Sequence, residues 1–126
     1  MMGRVRGIDK GLVKEGVTLL RILVNEDRRR IIKLLRNNKL SVSQIAKTLN
    51  ISTACTVYHL DVLESVGIIE SDYERIAPRK FLEVHYVNEE KLGQILKTIE
   101  KFIQELKRRL DGDGDYSKEG GEKCQS

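Results

Sequence analysis

The stretch from Leu40 to Glu70, LSVSQIAKTLNISTACTVYHLDVLESVGIIE, leaves the chain little choice of fold. Ser41 has the position and chemistry of a helix N-cap, and Val42, Ile45, Ala46 and Leu49 follow at helical spacing. Asn50-Ile51 has room only for a turn. Ser52 then caps a second helix, whose inward stripe is expected to be Val57, Leu60, Leu63 and Val66. Gly67 stands where a helix ends in a left-handed residue. Two short helices joined this tightly form a helix-turn-helix, with a recognition helix at about 52–66.

From Ile68 the apolar period changes from helical to two. Residues 68–73 and 80–87 read as the strands of a β-hairpin, joined by a loop from Glu74 to Arg79 that holds the sole proline, Pro78. A basic hairpin directly behind a helix-turn-helix, at about 72–80, is the wing of a winged helix. The expected fold is therefore mainly α with a small β-hairpin.

The flanks read as helices. Ile8 to Val24 carries a loose helical pattern interrupted by two glycines, and Asn25 caps a helix with Glu26 and Asp27 in its first turn. Ile31, Ile32, Leu34 and Leu35 stripe that helix before Asn37-Asn38 end it. Asn88 caps the last helix, along which Leu92, Leu96, Ile99, Ile103, Leu106 and Leu110 repeat in alternating steps of four and three. This is a heptad seam, broadened by Ile95 and Phe102, and it calls for a second apolar surface, either its own domain or a partner helix in a homodimer. A thin core of Ile, Leu and Val, with two Phe in 126 residues, also favours dimerisation. The domains expected are an N-terminal dimerisation helix region at 1–24, a winged helix-turn-helix at 25–87, a C-terminal dimerisation helix at 88–110 and a disordered acidic tail at 111–126.

Charge narrows the partner. From Asp111 onward five acidic residues face two lysines, a net of −3, so the total of +4 leaves +7 on residues 1–110. A basic body points to a polyanion. Two cysteines, Cys55 and Cys124, make no disulfide framework, and no apolar run is long enough for a membrane span or a signal peptide. A cytoplasmic protein with no membrane partner is expected.

The pieces DRRRIIKLL, SVSQIAKTLNIS, YHLDVLESVGIIE and RKFLEVHYV, in this order between Asp27 and Asn88, resemble the ArsR-type winged-helix regulators. The run His59-Leu60-x-x-Leu63-x-x-x-Gly67-Ile68-Ile69 is the most specific of them. The resemblance implies a symmetric dimer built from the first and last helices that represses transcription by occupying double-stranded DNA. No enzymatic activity is expected, because the chain offers no catalytic motif.

A recognition helix reads the major groove with its N-terminal residues. The positions expected to face outward are Ser52, Thr53, Cys55, Thr56 and His59. His59 reads equally as a phosphate contact or as packing beside Tyr58. Neither Arg nor Lys lies between Ser52 and Val66, whereas Asp61 and Glu64 do, so bidentate guanine reading is not expected from this helix. The family pattern has Ser two residues before the His, and Val57 stands there. Positive charge comes instead from Arg75, Arg79 and Lys80 of the wing, and from Lys47 and Lys39 in or beside the first helix of the motif. Arg28, Arg29 and Arg30 crowd a helix start, a poor place for cations, so they bind phosphate or pair with acidic neighbours.

Other chemistry is thinly supported. The resemblance offers a thiolate metal site at positions that are Ser41 and Ser43 here, and a second site on a last helix that lacks His between Asn88 and Leu110. No metal or cofactor is expected. Cys55 is a redox sensor or simply a small tolerated residue. Asp111, Asp113, Asp115 and Glu122 imitate a calcium loop, but Tyr116 occupies the position that requires Gly. No phosphate loop or nucleophile elbow is present. Three uses of the fold remain: a sequence-specific dimeric regulator, an architectural or chromatin-type DNA binder of low specificity, or a protein-contact module.

Overall fold

A computed structural model describes residues 2–112, with side chains from residue 11. The tail from Asp113, including Asp115, Glu119, Glu122 and Cys124, lies outside the described residues. Seven elements follow in order: α1 (Met2–Leu23), α2 (Glu26–Leu35), α3 (Val42–Leu49), α4 (Thr53–Ser65), β1 (Ile69–Ala77), β2 (Lys80–Val87) and α5 (Glu89–Asp111).

The helix ends fall where local chemistry puts them. The Asn25 side chain accepts from Arg28 N at 3.0 Å, and Asn88 accepts from Lys91 N at 2.9 Å. Ser41 and Gln44 form a reciprocal capping box that opens α3. Both helices of the motif stop by the same device. Asn50 takes φ 57°, with Ile51 N donating to Ala46 O; Gly67 takes φ 84°, with Ile68 N donating to Leu63 O. In each, one left-handed residue turns the chain and satisfies carbonyls of the last turn.

Leu19 and Ile22 of α1, Ile31 and Leu35 of α2, and Ile45 of α3 meet Leu60 and Leu63 of α4 in one core. Ile68 and Ile69 enter it from the start of β1, and Leu92, Ile95 and Ile99 close it from α5. Leu40 adds a one-residue third strand, exchanging backbone hydrogen bonds with His85 of β2 at 2.7 and 3.2 Å.

Three expectations change. The first helix runs unbroken from Met2 through its glycines, of which Gly16 lets α5 approach: a Cβ there would lie within 2.7 Å of the Phe102 side chain. The hairpin loop is shorter than the expected Glu74–Arg79. β1 continues to Ala77, which pairs with Lys80 across a turn of Pro78 and Arg79, and the register shifts between Arg75 and Ala77. Arg79 adopts φ 66°.

The third change concerns the heptad seam. Leu92, Ile95, Ile99 and Phe102 are buried within the protomer, whereas Leu96, Ile103, Leu106 and Leu110 stay 45, 44, 38 and 77% exposed. The seam is two adjacent stripes, because α1 covers one side of α5 and leaves the other bare. Glu105, beside the bare stripe, accepts from both Arg108 and Arg109, and its carboxyl is held down at about 2 by these hydrogen bonds.

Candidate nucleic-acid interface

Helix α4 begins at Ser52, whose Oγ accepts from Cys55 N at 3.0 Å. Ser52, Thr53, Ala54 and Cys55 are exposed around this N-terminus. Further along, the exposed residues are Val57, Tyr58, Asp61 and Ser65, which share a face at helical spacing.

Two expected contact residues turn inward. Thr56 is fully buried, and its Oγ1 donates to Ser52 O at 2.9 Å. His59 is also buried, with Nδ1 accepting from Arg28 Nε at 3.1 Å. Val57, expected in the core, is exposed instead. The inward face is still centred on Leu60 and Leu63, but it widens toward Thr56 and His59 and not toward Val57. Apolar side chains lie on several sides of α4, so periodicity alone set its rotation weakly. The core of α1, α2 and β1 sets it instead, seating Leu60 and Leu63 at the centre with Thr56 and His59 beside them.

Burial, and then the Arg28 guanidinium, lower the His59 pKa from 6.5, with Asp27 opposing. His59 is therefore a neutral acceptor at Nδ1. The second histidine, His85, is buried with Nδ1 3.2 Å from the Glu64 carboxylate.

The three consecutive arginines find partners that a linear reading does not reveal. Arg29 Nη1 donates to Leu23 O at 3.0 Å, and Arg28 Nη1 reaches Ile22 O at 3.5 Å. Arg30 Nη2 donates to Leu49 O at 2.9 Å while Nη1 meets Asp27. Unwelcome at the start of α2, these cations lie against the carbonyl ends of α1 and α3, where helix dipoles favour positive charge. Farther along, Arg36 makes a bidentate pair with Glu89 that ties α2 to α5.

The wing projects beyond the core. Beyond Ile69, no β1 residue before Ala77 is buried. Arg75, Arg79 and Lys80 are exposed as expected, and so is Lys47 on α3. Tyr73, Ile76 and Phe81 are exposed among them, with Arg75 opposite Phe81 in the register. The sequence gives these apolar side chains no role: Tyr73 and Phe81 read as ordinary strand residues and Ile76 as part of the loop. The signal available was a strand apolar on both faces. The hairpin's base is secured by Glu70, which accepts from Tyr86 Oη at 3.2 Å and from Asn88 Nδ2 at 2.7 Å. That contact raises the Tyr86 pKa.

The position that the resemblance gives to a metal thiolate is a cap: Ser41 is buried and its hydroxyl accepts from Gln44 N. Among the described residues, no three His, Cys, Asp or Glu side chains gather where they might share a metal ion, and no helix is long and apolar enough to cross a membrane.

Helix α3, the Asn50 turn, α4 and the hairpin define a winged helix-turn-helix, the DNA-binding fold of many transcription regulators. Residues 25–71 match the family model described as bacterial regulatory protein, arsR family. An ArsR-like transcriptional regulator from Rhodococcus sp. RHA1 superposes with a TM-score of 0.60 at 25% identity, covering 81% of this chain and 92% of that one. Reduced HlyU from Vibrio cholerae gives 0.52 at 25% identity, covering 79% and 92%. A homodimeric winged helix-turn-helix domain from Mycobacterium bovis, described as a possible ArsR-family regulator, gives 0.55 at 17% identity over 82% and 89%, a likeness of fold alone. No curated protein sequence matches. Residues 25–71 thus match the ArsR-type family model, and the fold as a whole is similar to that of ArsR-like winged helix-turn-helix regulators.

Proposed function

We propose that this DNA-binding regulator acts in the cytoplasm as a homodimer, reading a palindromic operator with α4 and gripping the flanking backbone with its wing, and that it represses transcription by occupancy. The observation that carries the reading is the pairing of an exposed α4 N-terminus with an exposed wing bearing Arg75, Arg79 and Lys80. Ser52, Thr53 and Cys55 supply short side chains for the groove, and Lys47 supplies charge beside it. Thr56 and His59, expected to face DNA, are buried and make no base contact in this reading.

The dimer reading rests on Leu96, Ile103, Leu106 and Leu110, an apolar stripe that none of the described residues covers. Leu92 and Ile99 belong to the inner stripe and support the interface from beneath. The related Mycobacterium bovis domain is described as homodimeric.

Selection of bound duplexes from a random pool, at physiological salt without added metal, tests the function. A specific regulator enriches a palindrome and prefers it over random DNA by at least ~10³. One observation favours the architectural alternative: the cations lie on the wing and α3, while α4 carries Asp61 and Glu64 and no Arg or Lys. Binding without enrichment would establish that alternative.

A further inference from the structure

Arg28 is the one member of the arginine triplet whose side chain reaches α4. Its backbone N–H is held by the Asn25 cap, its Nε donates to His59 Nδ1 at 3.1 Å, and its Cζ lies 5.6 Å from the centre of the Tyr58 ring. The Tyr58 and His59 rings are 5.4 Å apart at 57°. Tyr58 is 57% exposed and lies on the outer face of α4. We propose that Arg28 is a positioning residue for DNA recognition: through His59 and Tyr58 it ties the recognition helix to α2 and the end of α1, and so sets how Tyr58 is presented to DNA. This rests on the DNA-binding reading above.

The chemistry makes the link conditional. A guanidinium donates and never accepts, so the contact exists only while Nδ1 keeps its lone pair. Protonation of His59 replaces the hydrogen bond with two adjacent cations. Of the elements packed on α4, α2 brings both charged groups that act on His59, Arg28 and Asp27; among the described residues α3 and β1 bring none to it. Arg28 acts to keep His59 neutral and Asp27 opposes it. Tyr58 itself combines an aromatic face for apolar contact with a hydroxyl for a phosphate or base edge.

The test uses the full chain and a duplex enriched from the random pool, with an unrelated duplex beside it. Affinity is measured from pH 8 to 5 and across salt for the wild type, Arg28→Ala, His59→Asn and Tyr58→Ala. Asn retains an oxygen acceptor near the place of Nδ1 but carries no proton that titrates. Arg28→Ala and Tyr58→Ala should each weaken binding to the enriched duplex by ~10-fold or more, with far smaller losses on the unrelated one. The salt slope of Arg28→Ala should equal that of the wild type. His59→Asn should bind as the wild type does at pH 8 and lose less than the wild type at pH 5. His85 is present in both proteins and does not distinguish them.

Binding of the enriched duplex by Arg28→Ala as tightly as by the wild type would overturn the proposal. So would a salt slope that falls by ~0.9 in Arg28→Ala with equal losses on both duplexes, since Arg28 would then be a phosphate contact. A wild-type chain that enriches no duplex would instead remove the specific-regulator reading, and this inference with it.

Discussion

Gly16 on α1 lies against Phe102 on α5, so closely that a methyl group at residue 16 would come within 2.6 Å of the Phe102 ring. That contact locks the two flanking helices of one protomer together and places the bare stripe of α5 outward. Gly16→Ala should therefore destabilise the chain, by about 1–3 kcal/mol through overpacking, despite the better helix propensity of Ala. Adding Phe102→Leu should recover part of the loss. Thermal melts of the single and double variants check this; a more stable Gly16→Ala variant would show that the two helices do not pack so closely.

The division of α5 into two stripes lets the proposed dimerisation be tested apart from folding. Ile103→Asp with Leu106→Asp should yield a folded monomer, because both side chains are exposed in the protomer but would carry charge into a subunit interface. Ile99→Asp, by contrast, places a carboxylate in the protomer core and should unfold it. Sedimentation and circular dichroism distinguish the outcomes. A dimer unchanged by the double substitution would remove this stripe from the interface.

Arg79 pairs a left-handed backbone with a charge on the wing. Arg79→Gly should leave stability unchanged or raise it by up to about 1 kcal/mol, since Gly takes φ 66° without strain. The same substitution should reduce the salt slope of DNA binding by ~0.9 if Arg79 contacts one phosphate. Denaturation and salt-dependent binding should thus move independently.

Arg30 should behave in the opposite way. Its guanidinium holds Leu49 O and Asp27, so Arg30→Ala should cost about 0.5–2 kcal/mol of stability through the lost carbonyl contact, and leave the salt slope intact. A reduced slope would make Arg30 a phosphate ligand after all.

His59 gives folding its own pH dependence. Its folded pKa is lowered below 6.5, so on acidification the unfolded chain takes the proton first. The contribution is complete above the ordinary histidine value and is lost as pH falls through the lowered one. The stability of the wild type relative to His59→Asn should therefore decline between pH 7 and 5. A constant difference would mean that the two states bind the proton equally.

Much of this architecture is legible in the chain. Ser41, Ser52 and Asn88 announce helix starts, Gly67 announces a stop, and the change of period after Ile68 announces the hairpin. The candidate interface was less legible. Ser52, Thr53, Cys55 and the wing cations are exposed as expected, yet Thr56, Val57 and His59 were assigned to the wrong sides of α4. The partners of Arg28, Arg29 and Arg30 were hidden too, because the ends of α1 and α3 become their neighbours only on folding.

The reason is one of range. Caps, turns and period depend on residues within about four positions, where side chains and backbone groups meet whatever the rest of the chain does. Thus Asn50 and Gly67 end their helices on local chemistry. The rotation of α4, the split of the α5 seam and the placing of Arg28 against His59 depend on surfaces distant in sequence. Their geometry follows from which apolar faces are covered when α1, α2, α4 and α5 pack together, and a helix with apolar residues on several sides leaves that choice to its neighbours.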